Sequence, residues 1–213
     1  MKKKDLPNKI PVFPLSNFII FPSSTVPLNI FEPRYLQMVD ETMRESRLIG
    51  MIQPKKTGAL KKPNLYDVGC AGKIVSFNET DDGRYLIVLN GICRFRIIKE
   101  IQNEKLYREC SVNFEEYKDD LDTKSKELSS TKMDFILNSL KSLYKRQGYT
   151  INWKDIENQS SDKTIDTLSM ASPFTLEEKQ ILIETVGLDE RAQKLEDILK
   201  TYIRDDFSNK TIQ

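Results

Sequence analysis

The residues that are missing narrow the chemistry first. The 213-residue chain contains no histidine, which removes Ser-His-Asp and Cys-His nucleophilic catalysis and most zinc sites together. Its three cysteines, Cys70, Cys93 and Cys110, are widely spaced in strand-like contexts and read as buried reduced thiols. Gly69-Cys70-Ala71-Gly72-Lys73 superficially looks like a phosphate loop. The working pattern is G-x-x-x-x-G-K-[ST], whose backbone cradles phosphates and whose hydroxyl holds Mg²⁺. Asp67 stands where its first glycine belongs, and Ile74 follows the lysine. A Ser-Lys dyad needs only common residues, but no serine here lies in the Gly/Ala-rich setting that gives such a nucleophile access and an oxyanion hole. The expectation is a non-enzymatic protein with no catalytic residue, metal or cofactor.

Two other residue sets point to recognition. Phe18, Phe21, Phe31 and Tyr35 crowd an early segment with Glu32 and Arg34. Most of these aromatics must be core, while one or two line a candidate polypeptide groove, where Arg34 offers forked donors to peptide carbonyls or a carboxylate. Glu32 and Arg34 read equally as an ion pair tying a strand end to a helix start, where Glu32 suits the helix dipole. Further on, Arg94 and Arg96 flank Phe95. If Cys93, Phe95 and Ile97 face a core, both arginines face outward, with Arg84 nearby. That makes a candidate basic face for acidic peptide or RNA, or a solvated surface. Aromatic and basic residues interleave too sparsely there for a strong stacking platform.

The elements that must position these groups follow from punctuation and periodicity. Pro11, Pro14, Pro22, Pro27 and Pro33 exclude a long helix or a central strand before residue 33 and suggest short edge-type strands. Pro33 suits a first helical position, and Tyr35, Leu36, Val39 and Met43 follow at helical spacing to about Arg47. Lys55 to Asn64 reads as an exposed loop. Val68 to Glu115 reads as β-strands, with a hairpin at Asp81-Asp82-Gly83 and a break at Gly91. After an acidic stretch, Met133, Ile136, Leu140, Leu143 and Tyr144 mark an amphipathic helix ending near Gly148. A shorter helix precedes Pro173. Thr175-Leu-Glu-Glu178 is a capping box opening a helix with Leu176, Ile181, Leu182 and Val186 inward, and Asp189 caps the last. The boundaries expected are a β-rich subdomain over 8–117, a helical bundle over 118–206, and flexible tails at 1–7 and 207–213. Net charge is only +1, without the strongly basic footprint of a typical nucleic-acid binder. With no signal peptide and no apolar run of membrane-spanning length, the cytoplasm is the expected compartment.

The run Pro11–Leu15, then Phe21-Pro22 and Val26–Tyr35, resembles the amino-terminal substrate-binding domain of Lon proteases. Val68-Gly69, Gly72-Lys73-Ile74, Asp82-Gly83-Arg84, Gly91–Ile97 and Lys179–Glu184 continue the likeness in order, over about residues 8–205. The resemblance implies an α+β fold: a PUA-like β-barrel with one inserted helix, followed by an α-helical bundle. In Lon proteases this region captures unfolded or degron-bearing protein and helps assemble the oligomer. It implies partners of the same kind here: unfolded or hydrophobic protein segments, a separate protease or chaperone, and weak self-association. Binding is expected through the barrel, its aromatic groove and the barrel–bundle cleft, in the role of an adaptor or regulator of proteolysis. The alternative is a PUA-like RNA-binding module using Arg84, Arg94 and Arg96. The ATPase and Ser-Lys protease motifs of a full Lon are absent, so the expectation is a stand-alone Lon-domain protein or a fragment of a longer one.

Overall fold

The computed structural model describes residues 6–55, 62–122 and 124–210, with side chains as far as Arg204. The loop expected over 55–64 therefore lies largely outside the described residues, as do 1–5 and 211–213 of the expected tails. The strands are β1 (Lys9–Pro14), β2 (Thr25–Ile30), β3 (Leu48–Ile52), β4 (Val68–Glu79), β5 (Tyr85–Ile101) and β6 (Arg108–Asn113). The helices are α1 (Pro33–Arg44), α2 (Ser130–Arg146), α3 (Trp153–Glu157), α4 (Ser161–Ala171), α5 (Leu176–Glu184) and α6 (Leu188–Lys210), with a 3-10 helix at Glu115–Leu121. None of the described helices is long and apolar enough to cross a membrane. The chain divides into two compact units, one of Met1–Thr123 with Phe174–Glu184, the other of Lys124–Pro173 with Thr185–Gln213.

The first unit holds a mixed six-stranded sheet in the order β2-β5-β4-β3-β1-β6, and a further β5–β6 pairing closes five of the strands into a ring. Closure is possible because β5 runs through two neighbourhoods. Tyr85–Asn90 pair with β2 and Arg96–Ile101 pair with β6, while β4 follows the other edge from Tyr85 to Arg96. Bulges between Ala71 and Gly72, Ile74 and Ser76, and Ile97 and Lys99 supply the bending. Gly91 does not break β5. It sits where β2 ends and the 21–24 turn presses in, exchanging backbone bonds with Ser23 and Ser24 at 2.8 Å each. A Cβ there would drive into the Phe21 carbonyl, so the glycine permits a close approach of backbones.

The proline pattern places β2 at an edge, as expected, but β1 is flanked on both sides. The stagger of its neighbours reconciles this with its prolines. Pro11 faces only β6, opposite Glu109, and Pro14 faces only β3, opposite Ile52, so neither position needs donors on two sides. Gly83 takes a positive φ of 76° in the hairpin expected at Asp81-Asp82-Gly83, and its N–H closes on the Thr80 carbonyl at 2.9 Å. Ile10, Val12, Val68, Cys93, Phe95 and Cys110 fill the interior of the ring.

In α1, Pro33 opens the helix and Tyr35, Met38, Val39 and Thr42 are buried. The capping box at α5 is formed: the Thr175 N–H reaches Glu178 Oε2 at 2.8 Å and the Glu178 N–H reaches Thr175 Oγ1 at 3.2 Å. The inward face of α5 differs from the spacing expectation. Lys179, Gln180, Leu182 and Ile183 are buried, whereas Ile181 is exposed. The buried polar residues meet strand ends and loops: Lys179 Nζ donates to the Asn17 carbonyl at 3.2 Å, and Gln180 Nε2 to the Val68 carbonyl at 3.1 Å. Read with the helical half, α5 in fact packs with the sheet unit.

The second unit contains α2, α3, α4 and α6. Ile136, Leu140, Leu143 and Tyr144 of α2 are buried, as are Ile165 and Leu168 of α4 and Ala192, Leu195 and Leu199 of α6. Arg191 binds Asp166 at 2.5 Å, joining α6 to α4. Residues 207–210, expected in a flexible tail, continue α6.

Candidate functional site

Arg94 overturns half of the expected basic face. Its side chain is 2% exposed. The guanidinium grips Asp120 through Nε at 2.9 Å and Nη2 at 2.8 Å, and its Nη1 donates to the Ile183 carbonyl at 3.1 Å. It lies 4.5 Å from the Tyr117 ring centroid and 5.8 Å from that of Phe21. Alternation correctly turns Arg94 away from Cys93 and Phe95, but the 3-10 helix and α5 cover that second face. Arg96 is exposed, in a forked pair with Glu116 at 2.7 and 2.9 Å that holds the glutamate below its ordinary range. Arg84 closes on Asp82 of its own hairpin, with Nε at 2.7 Å. The three arginines thus form no common cationic face, and each holds a carboxylate.

The expected aromatic groove is also not assembled as a set. Phe21 is fully buried beside Arg94, Phe18 is half-buried in the following loop region, and the Tyr35 ring packs edge-on to Phe13 at 4.2 Å. Tyr35 is consequently buried rather than lining a groove, and burial raises its phenol pKa. Phe31, Glu32 and Arg34 do come together, at the corner where β2 passes into α1. Phe31 is 63% exposed. Glu32 and Arg34 make an exposed ion pair at 2.6 Å, with the Arg34 guanidinium 4.6 Å from the Tyr35 ring centroid. The pair ties the end of β2 to the start of α1, as the ion-pair reading expects, next in the chain to the exposed Phe31.

The structure adds residues that the sequence spacing did not single out. Ile30, Leu28 and Val26 of β2 lie opposite Tyr85, Ile87 and Leu89 of β5. Across β5, Phe77 of β4 lies opposite Ile87, and its ring meets Tyr85 edge-on at 4.9 Å. These side chains share one face of the β2–β5–β4 arm. Phe77 remains 39% exposed, Val26, Leu28 and Tyr85 are half-buried, and Leu86 on the opposite face is 44% exposed. Phe31 follows Ile30, which lies opposite Tyr85, so Phe31 sits at the end of the edge strand β2, two strands from Phe77 on β4. The available signal was the alternation Ile74, Val75, Phe77, in which a bulge at residue 75 changes the facing of Phe77 relative to Ile74.

Polar groups fix the setting. Tyr85 Oη donates to Asp40 Oδ1 of α1 at 3.0 Å, and desolvation with the carboxylate's hydrogen bond raises the phenol pKa. At the other side of α1, Glu41 accepts from Tyr107 at 2.6 Å and pairs with Lys105 at 2.8 Å, which lowers its carboxyl pKa. These contacts hold α1 against the sheet at two points. The chemistry available at this end is apolar contact, backbone hydrogen bonding along β2 and charge. Burial pushes the thiol of Cys93 up to about 12 and that of Cys110 up to about 11, and raises Cys70 well above its ordinary value, so none is an activated nucleophile. Among the described residues there is no grouping of His, Cys, Asp and Glu suited to a metal ion.

A partly closed mixed sheet of six strands with one early helix, followed by further helices, defines an α+β protein. The chain belongs to the LON substrate-binding domain family: residues 9–201 match the family described as the ATP-dependent protease La (LON) substrate-binding domain. It is 24% identical over 204 residues to a Lon protease of Syntrophus aciditrophicus, an alignment covering 89% of this chain and 25% of that protein. It is 34% identical over 94 residues to Lon protease 2 of Sorangium cellulosum, covering 42% of this chain and 12% of that one. The chain thus spans a quarter or less of these relatives. Among solved structures it resembles a Lon N-terminal domain protein from Xanthomonas campestris, with TM-score 0.63, 20% identity and coverage of 88% and 96% of the two chains. The N-terminal domain of a Mycobacterium avium complex Lon protease gives TM-score 0.61 at 18% identity, covering 90% and 98%.

Proposed function

We propose that this protein recognises unfolded or apolar-rich polypeptide segments without catalysing a reaction on them, as an adaptor or regulator of proteolysis. The observation that carries this reading is the exposure of Phe31 at the end of the edge strand β2 and of Phe77, against half-buried Tyr85, two strands further in, in a chain of the LON substrate-binding family. An extended segment can lie along β2, using its free backbone groups, and place apolar side chains on Leu28 and Phe31, while Phe77 and Tyr85 offer apolar surface further in on the same face. Pro27 withholds one donor from that edge, which favours weak, exchangeable pairing over a permanent added strand. The closed five-strand pairing supports reading the sheet as a PUA-like barrel with β2 appended to it. Polypeptide is favoured over RNA because Arg84, Arg94 and Arg96 are each engaged by a carboxylate.

The test is a fluorescence-anisotropy titration of a permanently unfolded, carboxymethylated protein with the full chain. Saturable binding at micromolar concentration that survives moderate salt, and at least fivefold weaker binding by Phe31→Ser/Phe77→Ser, is the expected result. Tighter binding of single-stranded RNA, steeply weakened by salt, would replace this reading with the RNA one.

A further inference from the structure

We infer that the polypeptide taken by the β2–β4–β5 end carries lysine or arginine next to its apolar residues, an inference that rests on the polypeptide-binding reading above. The apolar surface is flanked by charge of one sign. At this end Glu32 is neutralised by Arg34 and Asp82 by Arg84. Asp40, Glu79 and Asp81 are left: among the described residues no cation pairs with any of them, and all are exposed. Their places are set by the sheet register. Glu79 lies opposite Tyr85, Asp81 is in the hairpin beyond it, and Asp40 accepts the Tyr85 hydroxyl. Three carboxylates therefore surround the Phe77–Tyr85 ring pair.

Apolar contact supplies sequence-tolerant attraction, and uncompensated carboxylates at its margin penalise an acidic segment and favour a basic one. The occupant fitting both features is an extended segment with an aromatic or aliphatic residue flanked by Lys or Arg.

The experiment uses the full chain and two labelled peptides of equal length with the same Phe and Leu residues, one flanked by lysines and one by glutamates. The expected result is roughly tenfold tighter binding of the lysine peptide at low salt, as about three exposed charge pairs supply. The gap should shrink as salt rises. In Glu79→Lys/Asp81→Lys, both changes being at exposed positions, the preference should narrow or reverse while the chain keeps its thermal transition. Equal binding of the two peptides overturns the charge preference and leaves polypeptide recognition standing. Binding of neither peptide, together with no binding of unfolded protein, overturns both.

Discussion

The two halves of β5 share one alternating pattern and end in opposite environments. From Gly91 to Phe95 the strand is covered on both faces: Cys93 and Phe95 enter the ring, while Arg94 is sealed by Asp120, Tyr117 and the end of α5. From Tyr85 to Asn90 the strand pairs with β2 and β4, Ile87 and Leu89 stay buried, and Phe77 and Phe31 in the neighbouring segments meet solvent. The sealed half spends buried charge on position, since a desolvated ion pair fixes geometry better than it adds stability. The open half leaves apolar surface unburied, which is what a site for transient apolar partners requires. Under the proposed function, one end of the strand serves architecture and the other is the candidate for recognition.

Breaking the sealed half should cost most. Arg94→Met leaves Asp120 and the Ile183 carbonyl without the guanidinium, and a loss of about 3–5 kcal/mol in denaturant unfolding is expected. Adding Asp120→Asn should recover part of that loss. Gly91→Ala forces a Cβ into the Phe21 carbonyl and should cost about 1–3 kcal/mol, read as a lowered Tm. Thr175→Ala removes one side of the α5 capping box and should cost about 1 kcal/mol in the same assay, loosening the helix that covers Arg94. Phe77→Ser at the open end should change stability by only about 0.5–1 kcal/mol while weakening polypeptide binding several-fold. An unfolding cost for Phe77→Ser as large as that of Arg94→Met would erase the contrast.

The smallest expected effect is one of pH. Hydrogen bonds from Lys105 and Tyr107 lower the Glu41 carboxyl pKa, and the hydrogen bond from Arg96 lowers that of Glu116, each from an ordinary 4.5. Their contribution to stability is therefore present above about 4.5 and is lost as pH falls through the lowered values. Both pairs are partly exposed, so the loss is modest. Glu41→Gln should lower the neutral plateau of a Tm-against-pH curve slightly and leave its acid end unchanged, so that the acid limb is flatter.

Much of the architecture was legible because it is local. Pro33 at a helix start, Gly83 in a hairpin, the Thr175–Glu178 box and the helical stripe of α2 are each decided by a few adjacent residues. The illegible parts depend on segments that meet from afar. Alternation turns Arg94 away from Phe95, yet only the arrival of Ile183, 89 positions later in the chain, makes that side interior. The same remoteness hides why Lys179 and Gln180 face inward while Ile181 faces out, since their partners are carbonyls of Asn17 and Val68. Gly91 reads locally as an interruption, and only the 21–24 turn explains a glycine inside a continuous strand. Of the residues expected in the groove, Phe31, Glu32 and Arg34 share the corner between β2 and α1. Phe21 was drawn into the interior, and Phe77 was concealed by a bulge that resets the alternation.

The most direct test of the contrast is an amide NMR titration of the isotope-labelled full chain with an unfolded polypeptide. The expected result is saturable shift changes confined to residues 26–32, 40 and 75–87, with the amides of 92–97 and 116–121 unmoved. Shifts concentrated around Arg94 and Asp120, or spread evenly over the chain, would contradict the division of β5 into a sealed half and a recognising half.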